Sequence, residues 1–379
     1  MIPFNKPFLT GKEINYIQEA VKIGKISGNG FFTKKCQSFF EDHYGFKKAL
    51  MTTSCTDALE MAAILSDIKA GDEVIAPSYT FVSTVLAFIR QGAKIIFCDS
   101  YENNPNIDAN KIESLITPKT KVIIPVHYSG VACDMDKIMN IAKKHNIIVV
   151  EDAAQAIDSF YKGRPLGSIG QFGCFSFHET KNIIAGEGGL LTVNDEIYIR
   201  RSEIIWEKGT NRAEFYRGEV NKYGWVDTGS SFLPSELNSG FLWAQLENID
   251  IIQTRRKEIW YKYYEGLSYL AQRGLIQLPQ IPEYATNNAH IFYIICQNLN
   301  QRTKLIEFLK SNNILSVFHY LSLHKSKYYL EICNEENVSI PELPNADHFT
   351  DCLLRLPLYF ELSFEEVDFI IESIKKFYS

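Results

Sequence analysis

The sequence predicts an α/β fold, in which a large domain with a mostly parallel central sheet precedes a smaller C-terminal α+β domain. Over the first two-thirds of the chain, short and nearly continuous apolar strands alternate with amphipathic helices. This pattern is typical of a parallel sheet that is covered on both faces. After Pro279 the regular alternation stops. A chain of 379 residues is also long enough for one large domain and a second, smaller one.

The elements of the large domain follow from hydrophobic runs and from helical periodicity. Strands are predicted at residues 73–77, 94–99, 121–126, 147–152, 174–177 and 189–193. Helices are predicted at residues 80–91, 109–116 and 134–144, and an amphipathic helix is predicted to begin near Ser54. A long helix over residues 234–267, broken or bent, is predicted to follow them.

The smaller domain is predicted from a second set of elements. Its strands are expected at residues 290–296 and 317–320, and its helices at residues 301–312 and 364–378. The boundary is placed near residues 248–253. This gives a large domain over residues 1–250 and a small domain over residues 251–379.

Composition disfavours several classes of protein. The net charge of −6 and the pI of about 5.8 disfavour a nucleic-acid binder, which more often has a basic face. The N-terminus lacks the apolar segment of a signal peptide, and no stretch approaches the length of a membrane-spanning helix. The eight cysteines include no C-x-x-C pair, so no metal site is expected and a reduced, cytoplasmic protein is predicted.

A carboxylate and a lysine that follow two predicted strands indicate the chemistry. Asp152 ends one apolar run, at the strand end where open α/β sheets bind ligands. Lys181 follows the strand at 174–177 and precedes a glycine-rich turn at 186–189. Pyridoxal 5′-phosphate (PLP) needs a lysine for its Schiff base and an acid that keeps its pyridine nitrogen protonated. On local sequence alone, a surface lysine and an N-cap aspartate stay open as alternatives.

The start of the helix near Ser54 is a candidate phosphate site. Free backbone N–H groups and the helix dipole favour an anion there, and the hydroxyls of Ser54, Thr56 and Ser176 are further donors. An ordinary N-cap explains the same residues equally well. Gln155 is placed to reach the cofactor's ring hydroxyl, and Phe81 is a candidate to stack on its ring, although a lone aromatic residue is more often part of a core.

Three segments together resemble the DegT/DnrJ family of PLP-dependent sugar-nucleotide aminotransferases. They are Pro77-Ser78-Tyr79-Thr80-Phe81, Glu151-Asp152-Ala153-Ala154-Gln155 and Ser176-Phe177-His178-Glu179-Thr180-Lys181-Asn182. The resemblance covers essentially the whole chain and implies an aspartate-aminotransferase-like PLP fold. It also implies that Lys181 and Asp152 are the catalytic pair, that Gln155 and Phe81 contact the ring, and that Cys55, Thr56 and Ser176 lie at the phosphate.

Two departures from the common pattern of the family point to one of its branches. Many members have glycine at the position of Cys55, and many have Tyr-Asn-Tyr-Arg where this chain has Ser230-Ser231-Phe232-Leu233. The resemblance implies that Ser231 reaches the phosphate of a neighbouring subunit's cofactor, in a homodimer or higher oligomer with shared sites. Val126-His127-Tyr128 and Phe318-His319-Tyr320 also resemble that branch. The branch transfers an amino group from L-glutamate to carbon 4 of dTDP-4-dehydro-6-deoxy-D-glucose.

The substrate residues are expected in two places. Lys208, Asn211, Arg212, Lys222 and Tyr223 form a predicted basic loop that is suited to the diphosphate of a dTDP-linked keto sugar. A solvated, charged loop is the plain alternative. His319 and Tyr320 are candidates for the sugar pocket, and for that histidine a packed or surface role is equally consistent with the sequence.

Several other functions stay open at this point. A sibling enzyme would aminate carbon 3, or would give the opposite stereochemistry at carbon 4. A PLP-dependent sugar dehydratase would have histidine in place of Lys181, and a nucleotide-sugar oxidoreductase would need a G-x-G-x-x-G turn that residues 24–30 lack. A non-catalytic regulator on the PLP fold is disfavoured by the intact set of Asp152, Gln155 and Lys181.

Overall fold

A computed structural model describes residues 1–379, except for the side chain of Glu336. In chain order the strands are β1 (Lys48–Thr52), β2 (Glu73–Pro77), β3 (Lys94–Cys98), β4 (Thr120–Ile123), β5 (Ile148–Asp152), β6 (Phe160–Tyr161), β7 (Arg164–Pro165), β8 (Phe172–Ser176), β9 (Gly189–Val193), β10 (Phe292–Ile295) and β11 (Leu353–Leu356). The helices are α1 (Glu13–Ile23), α2 (Phe31–Tyr44), α3 (Cys55–Leu65), α4 (Ser83–Ile89), α5 (Ala109–Ile112), α6 (Met135–His145), α7 (Ile199–Trp206), α8 (Arg212–Tyr216), α9 (Glu236–Leu246), α10 (Ile249–Gln272), α11 (Leu299–Ser311), α12 (Lys327–Glu336), α13 (Pro344–Cys352) and α14 (Phe364–Phe377).

The central sheet confirms the predicted fold class. It has seven strands in the order β1-β9-β8-β5-β4-β2-β3. The pairs β8–β5, β5–β4, β4–β2 and β2–β3 are parallel, whereas β9 runs antiparallel to both of its neighbours. Since β1 and β8 both oppose β9, they point the same way as the rest, and six carboxyl ends meet at one edge.

Alternating side chains of the strands bury both faces of the sheet. Along β2, Val74 and Ala76 belong to one hydrophobic core, and Ile75 belongs to the core on the opposite face. Val150 and Val149 of β5 divide in the same way. This explains why the strands read as continuous apolar runs instead of alternating ones.

The C-terminal part contributes a third core and a small sheet. Strands β10 and β11 pair in an antiparallel register. Leu354 and Leu356 of β11 pack in the third core, whereas Leu353 contacts the core next to the central sheet. The third core draws on residues 259–374 and on Ile2 near the N-terminus. The domain boundary near residue 250 stays a prediction.

Most of the predicted elements agree with the structure. The long helix expected over 234–267 is broken between α9 and α10, and the carboxyl end of β4 comes at Ile123, three residues before the predicted end. Helices α1 and α2 and strand β1 were not predicted. Among the described residues, no helix is long and apolar enough to cross a membrane.

The strand predicted at residues 317–320 is wrong. Val317 makes a single isolated bridge to Arg355, with hydrogen bonds of 3.2 and 2.8 Å between their backbones. The next carbonyl, that of Phe318, accepts from the Arg355 side chain at 3.1 and 3.3 Å instead of from a strand. The Arg355 side chain thus takes the hydrogen bond that a neighbouring strand would otherwise make to this segment.

Glu151 holds the segment beside the carboxyl end of β5 in place. It is fully buried, and its oxygens accept from the backbone N–H groups of Gly167, Ile169 and Gly170 at 2.6–2.8 Å. The ring of His127, also fully buried, donates to it at 3.0 Å, because its other ring nitrogen accepts from the Cys133 N–H at 3.2 Å.

We expect Glu151→Ala to lower the free energy of unfolding by about 3 kcal/mol or more, because it leaves several buried donors without an acceptor. Urea denaturation followed by circular dichroism measures this loss. The control is Glu372→Ala, since the Glu372 side chain is 69 % exposed in a surface ion pair and its removal should change little. Equal effects of the two substitutions would contradict this account of Glu151.

Candidate active site

A cavity of about 630 Å³ opens at the edge of the sheet where the parallel strands end. Asp152 comes from the end of β5, Ser176 from the end of β8, and Ser54 and Cys55 follow β1. Thr84 is reached through the segment that follows β2. The topology thus gathers residues from distant parts of the chain, as expected for the carboxyl edge of an open α/β sheet.

Asp152 places a buried carboxylate in this cavity. The residue is only 5 % exposed, and burial raises the pKa of its carboxyl group. Thr84 Oγ1 donates to Oδ2 at 2.7 Å, and the Ala154 N–H donates to Oδ1 at 3.1 Å. Neither donor carries a charge, so a cationic ligand would relieve the desolvation that burial imposes.

Lys181 lies in the same cavity and has the properties of an imine-forming lysine. Burial lowers the pKa of its amine, against the opposing pull of Cys55 and Asp152. Within the described part of the chain, Nζ makes no hydrogen bond and no ion pair. Its backbone N–H donates to the His178 carbonyl at 2.9 Å, in the turn that follows β8. A desolvated, unpaired amine of this kind is a suitable nucleophile.

The start of α3 forms a cradle at the other side of the cavity. Ser54 is the N-cap, and its Oγ accepts from the Asp57 N–H at 3.1 Å. The N–H groups of Cys55 and Thr56 have no protein acceptor among the described residues. A Cβ at Gly189 would lie 2.3 Å from the Ser54 carbonyl carbon, so only glycine lets β9 approach this turn.

Gln155 links the cavity floor to the C-terminal part of the chain. Its Oε1 accepts from the Ser129 N–H at 2.6 Å, and its Nε2 donates to the Tyr320 hydroxyl at 2.9 Å. The ring of His319 stacks on Tyr320 with centroids 3.6 Å apart, and its Nδ1 shares a hydrogen bond of 2.6 Å with the Tyr128 hydroxyl. Burial lowers the pKa of His319 well below its usual value.

The cavity therefore brings together many of the predicted site residues. Its lining includes Ser54, Cys55, Thr56, Phe81, Asp152, Gln155, Ser176, Lys181, His319 and Tyr320. The individual roles predicted for them remain hypotheses.

The segment predicted as a diphosphate loop is not wholly a loop, because Arg212 begins helix α8. Neither this segment nor Ser231 lines the cavity. Arg212 donates to the Tyr216 hydroxyl at 2.9 Å and lies over the rings of Tyr216 and Tyr223. Asn211 accepts from the Gly224 N–H at 2.8 Å, and Lys208 has a positive φ of 66° in the turn before α8. Lys222 is exposed, as is Ser231.

The cavity is also lined by residues that the sequence did not single out, among them Phe4, Asn5, Ser83, Thr84, His290 and Arg355. His290 is 6 % exposed, and its Nδ1 donates to Asn182 Oδ1 at 2.8 Å, since the Asn182 amide nitrogen already donates to Gln253. A signal for Arg355 was present in the sequence, because it is a single charge among the leucines of β11.

These residues fit PLP. The unpaired amine of Lys181 and the buried carboxylate of Asp152 meet the needs of the aldehyde and of the protonated pyridine nitrogen. The free N–H groups at the start of α3 suit a phosphate, and the glycine at position 189 keeps that turn open to it.

We expect Asp152→Asn to stabilise the cofactor-free protein at neutral pH, by on the order of 1 kcal/mol. The raised pKa means that the folded state binds the proton more tightly than the unfolded state, so stability falls as pH rises from the unfolded pKa through the higher folded pKa. The gain should therefore vanish in acid, where Asp152 is neutral in both states. Thermal melts at several pH values, with and without PLP, measure this.

Added PLP should stabilise the wild type more than the variant, because only the carboxylate can pair with the pyridinium nitrogen. Asp136→Asn is the control, since Lys162 lowers the pKa of that exposed carboxyl group and the substitution gives no gain. A loss of stability for Asp152→Asn at every pH would contradict the account.

Comparisons with known proteins agree with this geometry. Residues 7–375 match the profile of the DegT/DnrJ/EryC1/StrS aminotransferase family. The spore coat polysaccharide biosynthesis protein SpsC of Bacillus subtilis is 33 % identical, with 99 % of this chain and 96 % of SpsC covered. The GDP-perosamine synthase of Caulobacter vibrioides is 31 % identical, with 97 % of this chain and 96 % of that protein covered.

Solved structures show the same fold and the cofactor. Spr1654 of Streptococcus pneumoniae, a candidate sugar aminotransferase, was solved in a PLP form that matches with a TM-score of 0.90 at 28 % identity, covering 99 % of this chain and 98 % of Spr1654. DesV of S. venezuelae, in complex with a ketimine intermediate, matches with a TM-score of 0.87 at 27 % identity. The match covers 99 % of this chain and 98 % of DesV. The chain belongs to the DegT/DnrJ/EryC1/StrS aminotransferase family and is a PLP-dependent sugar aminotransferase.

Proposed function

We propose that this aminotransferase moves an amino group from L-glutamate to carbon 4 of dTDP-4-dehydro-6-deoxy-D-glucose, giving dTDP-4-amino-4,6-dideoxy-D-galactose. The observation that carries the proposal is the position of the residues that resemble this branch of the family. Cys55, His319 and Tyr320 all line the cavity of Lys181. Tyr128, from another segment that resembles the branch, is hydrogen-bonded to His319.

Lys181 and Asp152 have the central roles. PLP, when bound, supplies the carbonyl that receives the amino group and a ring that accepts electrons from the reacting carbon. Lys181 would hold the cofactor covalently, and its free amine would carry the proton to and from the reacting carbon of the substrate. Asp152 keeps the proton on the pyridine nitrogen, and Thr84 fixes the orientation of that carboxylate.

The remaining residues position the cofactor. The N–H groups at the start of α3, with the hydroxyls of Ser54, Thr56 and Ser176, hold the phosphate. Gln155 contacts the ring hydroxyl from a side chain that Ser129 and Tyr320 already fix on both sides. Phe81, which is 56 % exposed at the cavity, would stack on the ring.

One cavity serves both substrates in turn. The amino acid gives up its amino group and leaves as an oxo acid before the keto sugar enters, so the kinetics follow a ping-pong order. Lys181 moves the proton in both halves, in opposite directions.

The similarity to GDP-perosamine synthase favours a second candidate. That relative is named for a GDP-linked sugar, so a GDP-linked keto sugar is the alternative substrate for this chain. Amination at carbon 3, or with the opposite stereochemistry at carbon 4, are the further alternatives within the same chemistry.

A single-turnover experiment tests the substrate. The protein is loaded with PLP and glutamate, and dTDP-4-dehydro-6-deoxy-D-glucose or its GDP-linked analogue is then added. We expect the dTDP sugar to be consumed and the 4-amino product of galacto configuration to appear by NMR. If glutamate converts the cofactor but no dTDP-sugar product appears, or if only the GDP-linked sugar is aminated, the proposed substrate is wrong. The assignment as an aminotransferase would still hold.

We also propose that the enzyme works in the cytoplasm as a homodimer or a higher oligomer with shared sites. All eight cysteines are free, which suits a reducing compartment. The segment around α8 that carries Lys208, Asn211, Arg212, Lys222 and Tyr223 lies outside the cavity of its own chain. Its neighbour Trp225 is 84 % exposed, as expected for a residue that a second subunit covers.

Mixed subunits test the shared site. We expect Lys181→Ala chains and Arg212→Ala chains to be poorly active alone and to regain about a quarter of wild-type turnover after subunit exchange, since each hybrid dimer has one intact site. The control pairs Lys181→Ala with Asp152→Asn, which belong to one cavity, so that each hybrid site stays defective. Recovery no greater than in this control would rule out the shared arrangement.

A further inference from the structure

Arg355 is a cation that the mechanism above does not use. It lies on β11 and lines the cavity together with Lys181 and Asp152. Among the described residues no carboxylate forms an ion pair with it, and the groups that act on its charge are the hydroxyls of Tyr128, Tyr320 and Tyr79. Arg355 is half-buried. A cation that is partly withdrawn from water and has no counterion is costly, unless a ligand supplies the negative charge.

The protein holds the Arg355 guanidinium in a fixed orientation. Nε and Nη2 donate to the Phe318 carbonyl at 3.3 and 3.1 Å. The guanidinium carbon lies 4.8 Å from the centroid of the Phe4 ring. Nη1 has no hydrogen-bond partner in the described part of the chain. One edge and one face are thus occupied, and the remaining donors are available to a ligand in the cavity.

The alternation of β11 explains why this side chain faces the cavity. Leu354 and Leu356 pack into the C-terminal core, so Leu353 and Arg355 point to the other side. The backbone of Arg355 is held on both edges, by Tyr293 of β10 and by the bridge to Val317. Such a strand position is rigid, which lowers the entropy cost of binding.

We propose that Arg355 binds a carboxylate of the amino acid donor and thereby selects an amino acid as the first substrate. The inference rests on the proposed function, since it needs an amino acid to enter this cavity. A planar guanidinium matches a carboxylate with two parallel hydrogen bonds. The phosphate of the cofactor is assigned to a separate element, the start of α3, which leaves Arg355 for the donor.

Arg355 also acts on the groups around the reacting centre. Its charge contributes to the lowered pKa of Lys181, His290 and His319. A carboxylate bound at Arg355 neutralises that charge, so donor binding and the protonation of Lys181 are coupled.

Binding of glutarate to the PLP-loaded enzyme, measured by calorimetry, tests the site without turnover. Glutarate has the carboxylates of glutamate and no amino group, so it cannot react. We expect Arg355→Leu to weaken glutarate binding by roughly 30-fold or more, and Arg355→Lys to weaken it less, because lysine keeps the charge and loses the planar fork. The absorbance of bound PLP and a thermal melt show that the variants are folded and loaded.

Arg302→Leu is the matched control. Arg302 lies over the Phe318 ring at 5.5 Å and does not line the cavity, so this variant should bind glutarate like the wild type. Unchanged glutarate binding in Arg355→Leu, or equal losses in both variants, would overturn the proposal.

The two half-reactions give the second readout. We expect Arg355→Leu to slow the single-turnover reaction with glutamate by a similar factor. The reaction of the amino-sugar product with the PLP form should slow much less, because it loses only the effect of Arg355 on the pKa of Lys181 and no carboxylate contact. A loss confined to the sugar half would assign Arg355 to the sugar nucleotide and overturn the proposal. If the wild type binds glutarate through Arg355 but does not aminate the proposed dTDP sugar, the carboxylate site is supported and the proposed sugar substrate is wrong.

Discussion

The burial of two opposite charges, Asp152 and Lys181, in one cavity is the constraint on which the active site depends. Burial raises the pKa of the carboxyl group and lowers that of the amine, and each charge partly offsets the cost of the other. The two groups make no ion pair with each other within the described residues. Each is therefore kept ready for a ligand, at a cost in stability that the large, doubly covered sheet can sustain.

The sheet brings these charges together through the direction of its strands. Because β9 is antiparallel to both neighbours, β1 and β8 point the same way, and the start of α3 arrives beside Ser176 and Lys181. The strand ends meet in this way although one strand of the sheet, β9, is antiparallel to the others. The one reversed strand, β9, begins with Gly189, and this glycine lets the strand approach the backbone of Ser54 at the side of the cavity.

Residues of the C-terminal part complete the cavity at the carboxyl edge of the sheet. Tyr320 reaches Gln155, His319 reaches Tyr128, and Arg355 enters from a strand whose other face belongs to a separate core. The same arginine explains why residues 317–320 are not a strand, since its side chain takes the carbonyl of Phe318. A single side chain thus determines local backbone structure and places a cation in the cavity.

The sequence by itself determined the fold class and most of the strands, and it singled out Asp152 and Lys181, which the structure places in one cavity. Apolar runs and the residues that follow them are local patterns, so they can be recognised without knowing which strands pair in the sheet. Only the tertiary structure decided that Thr84, His290 and Arg355 lie in the same cavity, because their contacts join segments far apart in the chain. It also separated the loop of Arg212 from that cavity, since the distance between two loops depends on the packing of the whole chain.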